Sequence, residues 1–258
     1  MKFFKRSTKL QQSNKTFLTL MSSLILWSSI LTSVATANLT PAILFQPPPE
    51  EEQPETTEGA ASRRNRECYQ DFVVNRQQEP THNRLTLTAV APNNNYGLTV
   101  NDRPDFWVYL PKTSAQQAIL TIKEEGIKPH WEQPIKLAGD VGIVKIELPD
   151  NAPSLEIGKH YQWALVLVCG NRPNPNDPVV AAWIKRVDES QVVDPDSPRK
   201  NIIQKAASYA EKGVWYDALD ILIEEKELFV DDWQDRWFNY LQSGGLDKIA
   251  DKPIISRE

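Results

Sequence analysis

Residues 104–111 read Pro-Asp-Phe-Trp-Val-Tyr-Leu-Pro, and this stretch decides the fold. Side chains alternate between the two faces of a strand, which divides the apolar residues into Phe106, Val108 and Leu110 on one face and Trp107 and Tyr109 on the other. A strand with water on one side alternates apolar with polar residues. This stretch therefore predicts a strand that is covered on both faces.

The same period of two continues through residues 67–188. Apolar runs with this period lie at residues 84–89, 118–124, 142–148, 160–169 and 179–187. Segments rich in proline, asparagine and aspartate separate the runs, as turns separate short strands. Six or seven short strands at this spacing predict an all-β, immunoglobulin/fibronectin-like antiparallel sandwich.

One local pattern supports the sandwich. Leu155, Gly158 and Tyr161 stand three residues apart at the start of a long apolar run. This is the spacing of a tyrosine corner, in which a phenol hydroxyl bonds to backbone at one end of a sandwich. Cys169 shares the parity of Tyr161 in this run, so its side chain is predicted to face inward.

The period changes after Asp188, and residues 189–197 read as a linker. Ser197 followed by Pro198 predicts a helix start, with the serine as N-cap and the proline in the first turn. Three helical segments fit residues 198–250, the last of them ending at Gly244-Gly245. The prediction is a sandwich followed by a small α-helical segment, α+β overall.

The first two helical segments resemble a tetratricopeptide repeat. Tyr209, Gly213, Trp215 and Ala218 reproduce the internal spacing of that repeat. Two later positions depart from its pattern, namely Leu222 and Val230. Since a single repeat cannot bury its own hydrophobic face, the resemblance implies a helical hairpin that leans on the sheet or on a partner.

Residues 1–37 have the three parts of a secretory signal. Lys2, Lys5, Arg6, Lys9 and Lys15 precede an apolar run over residues 17–34, and small residues then place the cleavage after Ala37. The alternative is an uncleaved membrane anchor, since eighteen apolar-to-neutral residues could just span a bilayer. We predict an exported protein of the periplasm, cell envelope or extracellular space, which touches a membrane only if this segment is uncleaved.

The composition beyond residue 37 bears on order and on partners. Residues 38–66 are rich in proline and glutamate, which predicts a disordered linker. The first 37 residues hold five of the 29 basic residues and none of the 34 acidic ones, which leaves 24 basic against 34 acidic. A surface this acidic repels phosphate backbones, so nucleic acid is not expected as a partner.

Cys68 and Cys169 are the two cysteines of the chain. In an oxidising compartment such a pair predicts a disulfide, and the chain-entropy model values a loop of about 100 residues at roughly 4–5 kcal/mol. The alternative is two buried free thiols. A metal site would need more ligands than these cysteines and three scattered histidines supply: His82, His130 and His160.

The chain carries no recognisable catalytic motif. It contains no G-x-S-x-G elbow, no H-E-x-x-H, no phosphate-binding loop and no G-x-G-x-x-G. The three histidines read as surface or structural residues. We therefore predict no catalytic residue, no metal and no cofactor, and a protein that is not an enzyme.

The second apolar face of residues 104–111 needs a cover. The C-terminal helical segments supply one candidate, because their Trp215, Trp233 and Trp237 need a surface to bury against. The alternative is a binding surface on which sugar rings stack, made by Trp107, Tyr109 and Trp131.

Several stretches in order resemble one known family. They are residues 85–92, 95–100, 104–111, 158–163, 183–187 and 213–219. Over roughly residues 64–250 the chain resembles the domain of unknown function 928, a family of exported proteins found mainly in cyanobacteria. The resemblance implies no activity, but it implies that sheet and helices work as one unit.

Three functions compete on these observations. The leading hypothesis is a non-catalytic binding or scaffolding protein of the cell envelope, whose partner is another envelope or secreted protein. The second is a carbohydrate- or cell-wall-binding module that takes a glycan. The third is an unrecognised hydrolase.

Overall fold

The computed structural model describes residues 42–49, 54, 68, 85–126, 129–139, 141–193, 201–226 and 232–255. They all belong to one compact unit, residues 40–258, and hold nine strands and three α-helices. The strands are β1 (Thr88–Ala89), β2 (Tyr96–Thr99), β3 (Phe106–Leu110), β4 (Gln117–Glu124), β5 (Pro129–Lys136), β6 (Gly142–Ile146), β7 (His160–Val168), β8 (Val179–Arg186) and β9 (Ile254–Ile255). The helices are α1 (Ile202–Glu211), α2 (Trp215–Glu225) and α3 (Trp233–Ser243). The fold is therefore mixed α/β.

The strands form two open sheets whose inner faces share the core. The first sheet has the order β1-β3-β6-β9, and the second has the order β2-β8-β7-β4-β5. Phe106 of β3 and Trp163 of β7 meet across the gap with their ring centroids 4.9 Å apart. Both side chains are fully buried, and each such burial stabilises the fold by roughly 1.5–3 kcal/mol.

The prediction of an antiparallel sandwich is wrong for two strand pairs. β2 runs parallel to β8, and β6 runs parallel to β9. Parallel partners need a long crossover connection, and here five strands separate β2 from β8, while all three helices lie between β6 and β9. The immunoglobulin/fibronectin-like topology stays a prediction.

The sequence pattern also misses three strands. β5 contains Pro134 and lies at the outer edge of the second sheet, where a residue without an N–H is tolerated. β2 follows three asparagines that read as a turn, and β9 is only two residues long. None of the three has an alternating run long enough to be recognised.

Two predicted local features are present. Cys68 and Cys169 form a disulfide with their Cα atoms 4.9 Å apart, and the carbonyl of Cys68 accepts a hydrogen bond from the N–H of Ser114 at 3.1 Å. The bridge therefore ties Cys68 to the loop before β4 and to the end of β7. The second feature is the hydrogen bond expected of a tyrosine corner: the phenol oxygen of Tyr161 accepts from the backbone N–H of Glu156 at 3.1 Å.

The helices form where the sequence predicts three helical segments, with a different first cap. α1 begins after Asn201, whose side chain and that of Gln204 form a reciprocal capping box, whereas the predicted cap Ser197 and Pro198 lie outside the described residues. α1 packs on α2 across a turn in which Gly213 has φ +76°. α3 is tied to α2 by Arg236, whose guanidinium donates to both carboxylate oxygens of buried Glu225 at 2.5 and 3.2 Å. The tetratricopeptide-like assignment stays a prediction.

Residues 42–49 are ordered against the helices, so the predicted disorder of residues 38–66 is wrong for this part. Phe45 is buried, its N–H donates to the Ser243 hydroxyl at 2.8 Å, and its ring meets Trp215 edge-on at 4.9 Å. The N–H of Gln46 donates to the carbonyl of Ala210 at 3.0 Å. Two apolar residues just before the prolines, Ile43 and Phe45, join the buried core and help to anchor the segment.

The export prediction concerns residues that the structure does not describe. Residues 1–37, including the proposed cleavage residue Ala37, lie outside the described part of the chain. Within the described part, no helix has the length and apolar character needed to cross a membrane.

Candidate functional site

The three predicted stacking residues do not form one exposed surface. Trp107 and Tyr109 lie on the outer face of the first sheet but are only 5% and 7% exposed. Trp131 lies on β5 of the other sheet, opposite Ile122. Its indole nitrogen is buried and has no hydrogen-bond partner among the described residues. The rings of Trp107 and Tyr109 are therefore closed to a glycan.

α2 covers Trp107, as one of the two sequence interpretations expects of the C-terminal helices. The residues named for that cover lie elsewhere: the indole N–H groups of Trp215, Trp233 and Trp237 donate to the carbonyls of Val90, Leu222 and Ala250. The indole N–H of Trp107 donates to the carboxylate of Asp220 on α2 at 2.7 Å. Burial raises the pKa of the Tyr109 phenol, and the charges of Lys252 and Asp251 also act on it. α2 and the segment after α3 thus shield the outer face of β3 from water.

Two carboxylates fasten α2 to the sheets, and a third lies beside them within the first sheet. Asp217 accepts a hydrogen bond from the N–H of Val100 at 3.1 Å, Asp220 accepts from Trp107, and Asp105 lies 2.7 Å from the ammonium of Lys145. Burial raises the pKa of all three acids, and for Asp220 the nearby charges of Asp105 and Asp217 raise the pKa further. Because each carboxylate has a protein partner, the cluster serves the packing of α2.

The first turn of α2 enters the core between the sheets. The indole N–H of Trp163 donates to the Tyr216 hydroxyl at 2.8 Å, and that hydroxyl lies 3.3 Å from the carbonyl of Trp183. The indole N–H of Trp215 donates to the carbonyl of Val90 at 2.9 Å. Gly97 leaves room for this turn, since a Cβ there would lie 2.8 Å from the Cβ of Trp215. Sheets and helices therefore share one core.

A histidine on the second sheet stands between two possible proton partners. Nδ1 of His160 lies 3.2 Å from a carboxylate oxygen of Glu125, and Nε2 lies 3.4 Å from the hydroxyl of Tyr96. This order of groups is suited to proton transfer, but Tyr96 is fully buried and cannot meet a substrate. Among the described residues, no three histidine, cysteine, aspartate or glutamate side chains are grouped to hold a metal ion.

A groove of about 280 Å³ opens where the two sheets meet the helical segment. Its walls come from the region of β1, from β8 and from the third residue after α3: Leu87, Ala89, Ala91, Val180, Ala181 and Leu246. Thr88, Asn93 and Asn95 add polar groups. An apolar concavity with a few placed polar groups is the usual form of a binding site, and we take this groove as the candidate functional site.

The rim of the groove is held in place by the turn before β2. Asn95 has φ +56°, a left-handed conformation that asparagine tolerates better than most residues. Its N–H donates to the carbonyl of Pro92 and its own carbonyl accepts from Trp183, both at 2.7 Å. The N–H of Asn93 donates to the carbonyl of Gly244 at 2.8 Å. The rim is thus preformed and joined to both β8 and the end of α3.

Sequence reasoning did not find this groove. Its lining is made of small, chemically unremarkable residues such as Ala89 and Ala181, which carry no motif. The one available signal was the run Asn93-Asn94-Asn95, which read only as a turn.

The fold and the groove define a class: a disulfide-linked, mixed α/β protein of two open sheets with a preformed groove between sheets and helices. The chain belongs to the family described as Domain of Unknown Function (DUF928), whose sequence model matches residues 58–254. The match confirms the family resemblance and brings no activity with it. Among curated proteins none matches the chain, and among solved structures none does.

Proposed function

We propose that this chain is a non-catalytic binding or scaffolding protein of the cell envelope, and that the groove holds a protein partner. The observation that carries the proposal is the preformed groove, whose walls come from both sheets and from Leu246 after α3. Its rim is fixed by the hydrogen bonds of Asn93 and Asn95, so little ordering cost is left for the moment of binding.

Two features support export as part of this proposal. Residues 1–37 have the composition of a secretory signal. The Cys68–Cys169 disulfide is of a kind that persists in oxidising compartments and is rare in the cytosol.

The tetratricopeptide-like hairpin belongs to the proposal in a changed role. Trp215 and Ala218, two residues of the repeat spacing, are buried in the shared core. In this proposal the hairpin holds the strand region beside the groove in place, through the hydrogen bond from Trp215 to the carbonyl of Val90. The partner binds in the groove and does not contact the hairpin's repeat residues.

The test compares two tryptophan variants of the full chain as immobilised bait for envelope proteins. Thr88→Trp places a large ring at a half-exposed position in the groove, whereas Phe238→Trp alters α3 at a position that is 42% exposed and does not line the groove. We expect a reproducible partner that the wild type and Phe238→Trp retain and Thr88→Trp loses.

Other outcomes would contradict the proposal. Equal retention of the partner by both variants would remove the groove from the binding surface. Recovery of glycan without protein would favour the carbohydrate-binding module instead. Turnover of ester, glycoside or peptide substrates by the purified protein would favour the hydrolase.

A further inference from the structure

The edge of β8 beside the groove extends beyond the end of β2. β2 pairs with β8 from Trp183 to Arg186, whereas β8 begins at Val179. The N–H of Trp183 points towards the β2 side, because it donates to the carbonyl of Asn95. Backbone groups of alternate residues point to the same edge, so those of Ala181 face this side too. No strand of the described chain pairs with Ala181 there.

β1 presents a second free edge to the same groove. The N–H of Val90 donates to the carbonyl of Trp107 at 2.8 Å, towards β3. By the same alternation, Ala89 and Leu87 direct their backbone groups away from β3. β1 is an edge strand of the first sheet, and both residues line the groove. Among the described residues, two strand edges whose outward backbone groups have no strand partner therefore border one concavity.

The lining limits what could occupy these edges. No charged side chain lines the groove, although the chain carries 34 acidic residues and 29 basic ones. Alanines at positions 89, 91 and 181 form much of the wall, so the space accepts small, uncharged side chains. A backbone that offers alternating N–H and C=O groups is the ligand that a free strand edge complements.

We propose that the groove binds an extended, uncharged peptide segment of the partner protein, which adds as a strand along the free edge of β8 and continues the pairing that β2 begins. This inference rests on the proposed function and specifies its mode of recognition. Backbone hydrogen bonds to Ala181 supply the affinity. Alternate side chains of the peptide enter the apolar space between Val180 and Leu246 and supply selectivity.

The experiment uses the full chain and peptides selected from a phage-displayed library of random octapeptides. The best binder is synthesised and its backbone nitrogens are N-methylated one at a time, with affinity measured by calorimetry. In an added strand only every second N–H bonds to β8. We therefore expect tenfold or larger losses of affinity at alternate positions and small changes at the positions between them. The exchange of the Ala181 amide hydrogen should slow on binding.

Two variants separate the mode of binding from the site. Ala181→Pro removes an N–H that faces the groove and leaves the bonds between β7 and β8 in place, so a tenfold or larger loss of affinity is expected. If that variant does not fold, the N-methyl series on the wild-type chain shows whether the peptide binds as an added strand. Thr88→Trp should abolish binding of the peptide.

The outcomes distinguish the two proposals. Binding that is lost in Thr88→Trp but shows no alternation along the N-methyl series would overturn strand addition and leave the groove as the binding site. Peptide binding that Thr88→Trp does not affect, or a library that yields no binder, would overturn the inference together with the assignment of the groove.

Discussion

Replacing Tyr216 with phenylalanine should weaken the whole molecule, because its hydroxyl connects α2 to the second sheet. Tyr216 and Trp163 are both fully buried, and the Tyr216 hydroxyl is the acceptor for the Trp163 indole N–H at 2.8 Å. The substitution keeps the ring and removes this acceptor, together with the hydrogen bond that the hydroxyl donates to the carbonyl of Trp183 at 3.3 Å. The buried N–H of Trp163 is then left without a partner.

The expected loss follows from that unpaired group. Leaving a buried donor unsatisfied costs about 1–3 kcal/mol, so we expect the free energy of unfolding to fall by about 2 kcal/mol. For a chain of this size each kcal/mol shifts the melting temperature by roughly 2–4 °C. The melting temperature should therefore fall by roughly 4–8 °C.

Urea unfolding followed by tryptophan fluorescence and by far-ultraviolet circular dichroism measures both the loss and the cooperativity. The slope against urea should stay unchanged, and the two signals should shift together because sheets and helices share one core. Tyr109→Phe is the matched control, since the Tyr109 hydroxyl has no hydrogen bond to the described part of the chain, and its effect should stay within about 0.5 kcal/mol. A loss below about 0.5 kcal/mol in Tyr216→Phe, or two separate transitions, would refute the reasoning.

Three further predictions concern the disulfide, a buried acid and the helices. Replacing Cys68 and Cys169 with serine removes a bridge that spans 101 residues and should cost about 4–5 kcal/mol in urea unfolding; an unchanged urea midpoint would contradict this. Burial raises the pKa of Asp220, so the folded state binds that proton more tightly and stability falls as pH rises above the ordinary aspartate range. Asp220→Asn keeps an acceptor for Trp107 and should reduce this fall above about pH 4, whereas a pH profile parallel to that of the wild type would contradict the prediction. Deleting residues 198–258 should expose the core and cause aggregation or the binding of a hydrophobic dye. A soluble truncated chain with native melting would contradict the prediction that sheets and helices share one core.

The sequence predicts those strands and helix ends that are determined by residues close together in the chain. Residues 160–168 alternate clearly, residues 106–110 are apolar on both faces, and both stretches are strands as predicted. Gly244-Gly245 follows the last helix as expected. The spacing of Tyr161 predicted its bond to backbone. In each case the side chains that decide the structure lie within a few residues of one another.

The elements that the sequence does not reveal depend on distant residues. β2 is only four residues long, and its Gly97 is explained by Trp215 of α2. The two parallel pairs depend on which strands meet in space, and alternation within a strand carries no information on that. Phe45 looks like part of a linker until Trp215 and Ser243 are placed beside it.

The candidate site was predictable only in part. The apolar faces of β3 correctly indicated a cover over Trp107, but its Asp220 partner lies in a helix more than a hundred residues later. The groove has no comparable signal, since strand edges become free only through the topology. Ala181 borders a free edge because β2 ends before it reaches this residue. The identity of the residue, an alanine, gives no sign of this.

The most direct test of the central claim is site-specific photo-crosslinking in living cells. A benzoylphenylalanine at position 88 stands in the groove, and one at position 238 stands on α3 outside it. The account predicts a crosslink to one envelope or secreted protein from position 88, through an uncharged extended segment, and none to that protein from position 238. Equal crosslinking from both positions, or none from position 88, would contradict it.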